Sequence, residues 1–228
     1  MTAPIIALLP AAGVGARMGG ARPKQYLEIA GRPLLWYAIR AFDTHPRVSR
    51  VVVVLAGDDA HWAAHDWASF AKLEVLRCGG ASRAETVGNG LAALAGSSPA
   101  DAWVLVHDAA RPCLSARLLD KLLDEVGDDA VGGILAAPVA DTLKRADADG
   151  RIAATVDRSR LWGAQTPQMF RHELLQRALA HAGTAVTDEA SAVEALGLAP
   201  RLVESDLTNL KVTYPRDLEL AGYLLGAA

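Results

Sequence analysis

The stretch IIALLPAAGVGARMGGARPKQYLEIAGRPLL, from Ile5 to Leu35, places a glycine-rich loop directly after a short apolar run. The apolar run, 5–9, is predicted to be a buried strand. Small residues in the loop let backbone N–H groups approach phosphate oxygens, and the cations Arg17, Arg22 and Lys24 would neutralise the phosphate charge. The sequence therefore predicts a loop that holds a polyphosphate.

The spacing of the glycines excludes two common phosphate-binding loops. The dinucleotide fingerprint has a third glycine three residues after the second, and here Met18 occupies that place after Gly13 and Gly15. The Walker A loop ends in Gly-Lys followed by Ser or Thr, and the chain contains no Gly-Lys pair. A plain glycine-rich turn remains an alternative, which the three cations disfavour.

Composition predicts a single α/β domain over residues 1–228. The chain has 228 residues, of which 51% are hydrophobic, enough for a core of this size. The net charge of −3 provides no basic field for nucleic acid or anionic lipid. Cys78 and Cys113 have no metal-ligand spacing, and the run 5–9 is too short to span a membrane. We therefore expect a cytoplasmic protein with reduced thiols, and neither a membrane nor a nucleic-acid partner.

Apolar runs and helical patterns alternate along the chain. β-Branched or apolar runs without a polar break are typical of strands buried on both faces of a parallel sheet. We predict further strands at 51–55, 73–76, 102–106, 131–139 and 200–204, and helices at 33–42, 59–70, 83–95, 114–125, 171–182 and 215–225, with another beginning at Thr187 as its N-cap. His61 and His65 have a spacing that can hold zinc, but no third ligand lies nearby. The alternation predicts a Rossmann-like, mostly parallel sheet flanked by helices.

Two further segments are candidates for ligand contact. Gly79 and Gly80 follow a predicted strand, where glycines bring the backbone close to a ligand, and Ser82 with Glu85 forms the pattern of a capping box. Asp108 follows the strand 102–106, and a carboxylate in that place can hold a nucleotide-bound Mg²⁺, which needs only one or two protein carboxylates. The alternative for Asp108 is a turn cap.

The segment 140–160 departs from the alternation. Its charged residues surround a polar turn and predict a β-hairpin, which we interpret as a protruding arm. An exposed strand pair invites pairing with a second subunit, so we expect a homodimer.

Several of these motifs resemble those of one enzyme family. The loop Pro10-Ala-Ala-Gly-Val-Gly-Ala-Arg-Met-Gly19, the segment Pro23-Lys-Gln-Tyr-Leu27 and the motif His107-Asp-Ala-Ala-Arg-Pro112 are similar to those of the 2-C-methyl-D-erythritol 4-phosphate cytidylyltransferases. The resemblance covers nearly the whole chain. It implies a nucleotidyltransferase fold, with CTP and a polyol phosphate as substrates, Mg²⁺ as cofactor, and a homodimer with interlocking arms.

The resemblance also implies roles for individual residues. It places Arg17, Lys24 and Lys211 in catalysis on the phosphates and Asp108 on the metal. The nucleotide would contact Ala11, Ala12, Gly13, Gly15, Gly79, Gly80 and Thr86. The second substrate would contact Arg111, Thr142, Arg158, Thr166 and Thr187, with Arg158 reaching the neighbouring subunit's site.

Three other functions stay open at this point. A ribitol 5-phosphate cytidylyltransferase shares the nucleotide loop and the motif at 107–112, and a related nucleotidyltransferase could use another base. A non-catalytic nucleotide-binding domain would keep the glycines but would not need Lys24, Asp108 and Lys211 together. A dehydrogenase is disfavoured by Met18.

Overall fold

The computed structural model describes residues 3–13, 22–183 and 186–226. The strands are β1 (Ile5–Pro10), β2 (Glu28–Ile29), β3 (Arg32–Pro33), β4 (Arg50–Val54), β5 (Leu73–Leu76), β6 (Trp103–Val106), β7 (Gly132–Pro138), β8 (Leu143–Ala146), β9 (Ile152–Val156), β10 (Trp162–Arg171) and β11 (Arg201–Glu204). The helices are α1 (Leu34–Asp43), α2 (Arg83–Leu94), α3 (Ala116–Val126), α4 (His172–Ala182), α5 (Glu189–Glu194) and α6 (Pro215–Leu224). Among the helices of these ranges, none has the length and apolar character needed to cross a bilayer.

A seven-stranded sheet with the order β11-β7-β10-β6-β1-β4-β5 forms the centre of the molecule. Neighbouring strands are parallel, except that β10 runs antiparallel to both β6 and β7. The predicted mostly parallel sheet flanked by helices is therefore confirmed. Because β1 and β6 are parallel neighbours, the loops that follow them begin side by side at one edge of the sheet, where α/β proteins bind ligands.

The sheet is buried on both faces by helices. Along β1, Ala7 and Leu9 pack in a cluster with residues of α1 and α3, whereas Ile6 and Leu8 pack in a second cluster with residues of α2, α4 and α5. This double burial explains why the strands read as unbroken apolar runs in the sequence.

The N-terminus of α2 is fixed by two side chains. Ser82 Oγ accepts a hydrogen bond from the backbone N–H of Glu85 at 3.1 Å, which confirms Ser82 as the N-cap. The Glu85 carboxylate accepts from the backbone N–H of Ala81 at 2.8 Å, one residue earlier than a capping box would place it. The two bonds shape the turn that leads from β5 into α2.

The helix predicted at 59–70 is wrong. This segment contains one short 3-10 turn, Trp62–Ala64. The Asp59 carboxylate accepts hydrogen bonds from the backbone N–H groups of His61 and Trp62, at 2.9 and 3.0 Å, so it competes with helical bonding. The Trp67 indole donates to the Trp62 carbonyl and its ring stacks on that of Trp62 at 4.1 Å, which folds the segment back on itself.

The predicted cap of α5 is also corrected. Asp188, not Thr187, caps α5, because its carboxylate accepts from the backbone N–H of Ser191 at 2.9 Å. In the neighbouring helix α4, His172 is buried, and its Nε2 lies 2.9 Å from the carbonyl oxygen of Leu91.

The predicted arm is a two-stranded antiparallel hairpin of β8 and β9. Most of its residues are exposed, including Ile152 with 69% of its surface accessible. An exposed isoleucine in an exposed hairpin is typical of a surface that pairs with another chain.

Candidate active site

Two adjoining cavities open at the carboxyl edge of the sheet. The larger has a volume of about 490 Å³ and the smaller a volume of about 190 Å³. Arg83, Asp108 and Lys211 line both cavities, so they form the wall between them. The larger volume lies within the usual range for small-molecule sites.

The structure brings together most of the residues predicted for the site. Those that line the larger cavity are Ala11, Ala12, Gly13, Lys24, Gly80, Thr86, Asp108 and Lys211. Those that line the smaller cavity are Asp108, Arg111, Thr166, Thr187 and Lys211. Gly15 and Arg17 lie outside the described residues. Thr142 and Arg158 lie at the base of the arm, are exposed, and line neither cavity.

The loop after β1 is held rigidly at its start. The backbone N–H of Ala11 donates to the carbonyl of Val54 at 2.8 Å, and the buried Gln25 amide donates to the Ala11 carbonyl at 2.8 Å. Gln25 belongs to the short 3-10 helix Lys24–Tyr26, so the same contact fixes the base of the Lys24 side chain. The start of the loop, at Ala11, and the helix that carries Lys24 are thus positioned by one another.

Both glycines after β5 are required by contact with the chain itself. A Cβ at Gly79 would lie 2.3 Å from Ala12 Cβ and 2.8 Å from the carbonyl oxygen of Leu55. A Cβ at Gly80 would lie 2.3 Å from the Glu85 side chain. Gly80 also lines the larger cavity, so its backbone can contact a ligand there.

The backbone N–H groups of the glycine pair are already paired. The N–H of Gly79 donates to the Leu55 carbonyl at 2.8 Å, and that of Gly80 donates to Thr86 Oγ1 at 3.1 Å. The Thr86 hydroxyl donates to the Ser82 carbonyl at 2.9 Å. A ligand at these two glycines would therefore meet their backbone carbonyl oxygens, which accept hydrogen bonds, rather than their N–H groups.

Asp108 lies in the wall between the cavities, surrounded by positive charge. Its Oδ1 accepts a hydrogen bond from Arg83 Nε at 3.0 Å, and its Oδ2 lies 2.7 Å from Lys211 Nζ and 3.7 Å from Arg111 Nε. Burial alone would raise the pKa of Asp108, but these three cations outweigh burial and hold the pKa well below its usual value. The carboxylate is therefore ionised and orients both Arg83 and Lys211.

Arg83 is held in place by a second carboxylate. Its two terminal nitrogens bind the two carboxylate oxygens of Glu189 at 2.6 and 3.0 Å, in the bidentate geometry that gives strong ion pairs. Glu189 is buried, and this burial raises its pKa although the Arg83 charge acts in the opposite direction. The guanidinium thus connects helix α5 to the carboxylate of the site.

The residues at Asp108 fit a magnesium ion that is accompanied by phosphate. Asp108 provides oxygen ligands of the kind that Mg²⁺ prefers. The wall nevertheless has a net positive charge, because its three cations, Arg83, Arg111 and Lys211, outnumber the two carboxylates, Asp108 and Glu189. Within the described ranges, no group of three or more His, Cys, Asp and Glu side chains is arranged to hold a metal ion. Triphosphate oxygens would supply both the missing ligands and the missing negative charge.

Thr166 connects β10 to the motif after β6. Its Oγ1 accepts a hydrogen bond from the backbone N–H of Asp108 at 3.0 Å and lies 3.1 Å from Nδ1 of His107. The other ring nitrogen of His107 lies 3.0 Å from the carbonyl oxygen of Arg111. Complete burial lowers the pKa of His107 to about 4, so the ring is neutral at physiological pH.

Comparison with known proteins identifies the family. The model of the family "2-C-methyl-D-erythritol 4-phosphate cytidylyltransferase" (IspD) matches residues 5–227. The chain belongs to this family. A protein of that name from Dechloromonas aromatica is 59% identical over 222 residues, which cover 97% of each chain, and one from Thiobacillus denitrificans is 58% identical over 226 residues.

Solved structures agree with the family and the fold. A crystal structure of 4-diphosphocytidyl-2C-methyl-D-erythritol synthase superimposes with a TM-score of 0.88 at 46% identity and covers 99% of both chains. The cytidylyltransferase from Thermus thermophilus has a TM-score of 0.78 at 33% identity, over 98% of both chains. The nucleotidyltransferase fold inferred from the sequence is confirmed.

The sequence did not indicate three residues of this cytidylyltransferase site. Arg83 and Glu189 are 106 positions apart and His107 is 59 positions from Thr166, so their contacts exist only after folding. Arg83 and His107 both stand inside candidate motifs, and their positions beside Ser82 and Asp108 are the available signal. The sequence offers no signal for Glu189.

Proposed function

We propose that the protein transfers the CMP group of CTP to 2-C-methyl-D-erythritol 4-phosphate. An oxygen of the acceptor's phosphate forms a bond to the α-phosphorus of CTP, the bond from that phosphorus to the β-phosphate bridge breaks, and pyrophosphate leaves. The product is 4-diphosphocytidyl-2-C-methyl-D-erythritol, a precursor in non-mevalonate isoprenoid synthesis. The observation that carries the proposal is the pair of adjoining cavities that share the cationic wall of Arg83, Asp108 and Lys211.

The reaction needs alignment and charge neutralisation more than proton transfer. The attacking phosphate oxygen is already anionic near neutral pH, so a general base is not required. Two anions must approach each other, and fixed cations stabilise the crowded charge of the transition state. Lys24 and Arg17 would act on the triphosphate, while Lys211, at the boundary of both cavities, would contact the reacting phosphates.

Selection of cytosine would use the turn at Gly80 and the hydroxyl of Thr86. Because the N–H groups of Gly79 and Gly80 are already paired, the carbonyl oxygens of these two residues remain to accept a hydrogen bond. Cytosine carries an exocyclic amino donor where uracil carries a carbonyl acceptor, so a carbonyl of the turn would favour cytosine. Ala11, Ala12 and Gly13, which also line the larger cavity, would contact the nucleotide as well, and Gly15 follows in the same loop.

Mg²⁺ would reach the site with CTP. Asp108 would contribute an oxygen ligand, and the ion would neutralise charge on the triphosphate. The residues around Asp108 keep that carboxylate ionised and oriented whether or not the ion is bound.

The acceptor would occupy the smaller cavity. Arg111, Thr166 and Thr187 line it, and Lys211 contributes a further positive charge. Arg111 is buried and its guanidinium donates to the Asn209 carbonyl at 2.6 Å, which fixes the cation in the cavity wall.

A homodimer would complete the acceptor site. Thr142 and Arg158 lie at the exposed base of the arm and line neither cavity of their own chain. We propose that the single cytidylyltransferase domain, 1–228, pairs through the arm at 140–160, so that these two residues act in the partner's site. The two thiols, Cys78 and Cys113, are both free, as they would be in a cytoplasmic enzyme.

Base preference tests the nucleotide half of the proposal. Pyrophosphate release would be measured with Mg²⁺, 2-C-methyl-D-erythritol 4-phosphate and either CTP or UTP. We expect CTP to be preferred by about 100-fold or more, because UTP would leave a carbonyl of the turn facing another acceptor. Equal rates would contradict the proposed base contact, and tight CTP binding without pyrophosphate release would instead support a non-catalytic nucleotide-binding domain.

A further inference from the structure

The neighbours of the Thr166 hydroxyl determine to which group it donates its hydrogen and from which groups it can accept. The carbonyl oxygen of Arg111 can only accept, so the His107 nitrogen 3.0 Å away, Nε2, carries the ring hydrogen. In a neutral imidazole the other nitrogen, Nδ1, is then a bare acceptor. Since Nδ1 lies 3.1 Å from Thr166 Oγ1, the single hydrogen of the Thr166 hydroxyl is donated to His107.

The same oxygen has one acceptor position left. A hydroxyl oxygen has two lone pairs, and one accepts the backbone N–H of Asp108 at 3.0 Å. The hydrogen is used and one lone pair is used, so a ligand that bonds to this oxygen can use only the one remaining lone pair. Thr166 lines the smaller cavity and not the larger one, so that ligand is the acceptor substrate rather than the nucleotide.

We propose that Thr166 recognises a hydroxyl group of the acceptor by accepting a hydrogen bond from it, and that His107 is the positioning residue that enforces this polarity. The inference rests on the proposed function and adds the chemistry of one contact. An ionised phosphate oxygen only accepts hydrogen bonds, so it cannot pair with this lone pair. The cations Lys211 and Arg111 in the same cavity bind the phosphate, whereas Thr166 contacts the polyol part of the substrate.

The tautomer of His107 is the first test, and it uses the unmodified protein. Nitrogen-15 NMR of histidine-labelled protein at neutral pH distinguishes a protonated ring nitrogen from a bare one, with His107 assigned through correlation to its backbone. We expect Nε2 protonated and Nδ1 bare. The opposite tautomer, or a doubly protonated ring, would free the Thr166 hydrogen and overturn the proposal.

The second test combines variants with substrate analogues. The ratio kcat/KM for the acceptor would be compared between the unmodified protein and Thr166→Val, with 2-C-methyl-D-erythritol 4-phosphate and with its 1-, 2- and 3-deoxy analogues. We expect Thr166→Val to lose about tenfold with the full substrate. With the one analogue that lacks the recognised hydroxyl, the loss should disappear. Thr166→Ser, which keeps the hydroxyl, should discriminate between the full substrate and the analogues as the unmodified protein does.

Thr187→Val is the matched control, because Thr187 lines the same cavity and its hydroxyl has only a long 3.4 Å contact, to Ser191 Oγ. The hydrogen of the Thr187 hydroxyl is available to a phosphate, which all three deoxy analogues keep. Thr187→Val should therefore lower kcat/KM by the same factor with each analogue. An equal loss for all three analogues in Thr166→Val would overturn the proposal, since a purely structural role predicts that result. If the unmodified protein releases no pyrophosphate with the full substrate, the proposed function fails, and the tautomer test still decides the polarity of Thr166.

Discussion

Lysine side chains enter the larger cavity from two distant segments of the chain. Lys24 comes from the short helix after the phosphate loop, and Lys211 from the segment before α6. Lys211 is oriented by Asp108 at 2.7 Å, whereas Lys24 precedes Gln25, whose amide is bonded to the Ala11 carbonyl. This arrangement suits a triphosphate that must be held at both ends.

Replacing Lys24 by alanine should lower kcat by about 10²–10³, because it removes a fixed charge that acts on the transition state. Steady-state pyrophosphate release would measure the change. Lys121→Ala is the control, since Lys121 lies on α3 and donates to the Glu204 carbonyl away from both cavities. Turnover of Lys24→Ala close to that of Lys121→Ala would contradict the assignment of Lys24.

The buried His107 should make stability depend on pH. Its pKa falls from 6.5 to about 4 on burial, so between these pH values the unfolded chain binds a proton that the folded chain does not. The free energy of unfolding should therefore be fully retained above pH 6.5 and fall by about 3 kcal/mol as the pH is lowered to 4. Denaturant unfolding between these pH values should show that the free energy of unfolding depends less on pH in His107→Gln than in the unmodified protein. The same slope against pH in both proteins would contradict the burial of a neutral ring.

At the scale of single residues, the sequence predicted those whose role is carried by a local motif. Asp108 and Arg111 stand in one short motif after a strand, and both lie in the cavity walls. The contact of His107 with Thr166 joins residues 59 positions apart, and its meaning depends on which ring nitrogen faces which oxygen. Such geometry cannot be derived from residue spacing.

At the scale of elements, the pair Arg83–Glu189 holds α5 against α2 beside the site. Glu189 is buried, and Arg83 would keep Asp108 as a counter-charge after Glu189→Gln. Losing the two charge-assisted hydrogen bonds to Glu189 should lower the free energy of unfolding by about 2 kcal/mol. Arg50–Glu74 is also a bidentate pair, through Nε and one terminal nitrogen at 2.7 Å for both contacts, but its carboxylate is 44% exposed. Glu74→Gln should therefore cost about 1 kcal/mol or less.

Denaturant unfolding of the two variants, side by side, measures this difference. Equal destabilisation by Glu189→Gln and Glu74→Gln would mean that the Arg83 pair does not behave as a buried one. A selective loss in Glu189→Gln would support its role in joining the two helices.

The parallel strands were easier to predict than some helices or than the antiparallel strand β10, which was not among the predicted strands. The runs before Pro10 and at 51–55 are apolar throughout because both faces of the sheet are covered, and in so short a run this pattern is typical of a buried strand. The segment 59–70 also has helix-forming composition, but Asp59 binds the backbone N–H groups that would start the helix. Hydrogen bonds of the Asp59 side chain therefore prevent a helix in this segment, and the amino-acid composition does not reveal such bonds.

At the scale of the whole molecule, the arm predicts a site made by two chains. If Arg158 acts in the partner's site, Lys24→Ala and Arg158→Ala affect different halves of each site. A heterodimer of the two variants would then contain one intact site and one doubly defective site. With random pairing, co-expression should restore about one quarter of the unmodified activity, although each variant alone is nearly inactive.

Differently tagged subunits would be co-expressed and the heterodimer isolated by tandem affinity purification before assay. Because one of its two sites is intact, the isolated heterodimer should have about half of the unmodified activity if the arm reaches across. Activity no higher than that of the single variants would mean that Arg158 acts in its own chain or not at all.

The choice of acceptor substrate tests the whole account most directly, because the nucleotide loop and the motif at 107–112 do not discriminate between polyol phosphates. Pyrophosphate release would be measured with CTP and Mg²⁺, and with either 2-C-methyl-D-erythritol 4-phosphate or ribitol 5-phosphate. We expect release with methylerythritol phosphate alone. Release with ribitol phosphate alone would contradict the account, while leaving the fold and the nucleotide cavity as described.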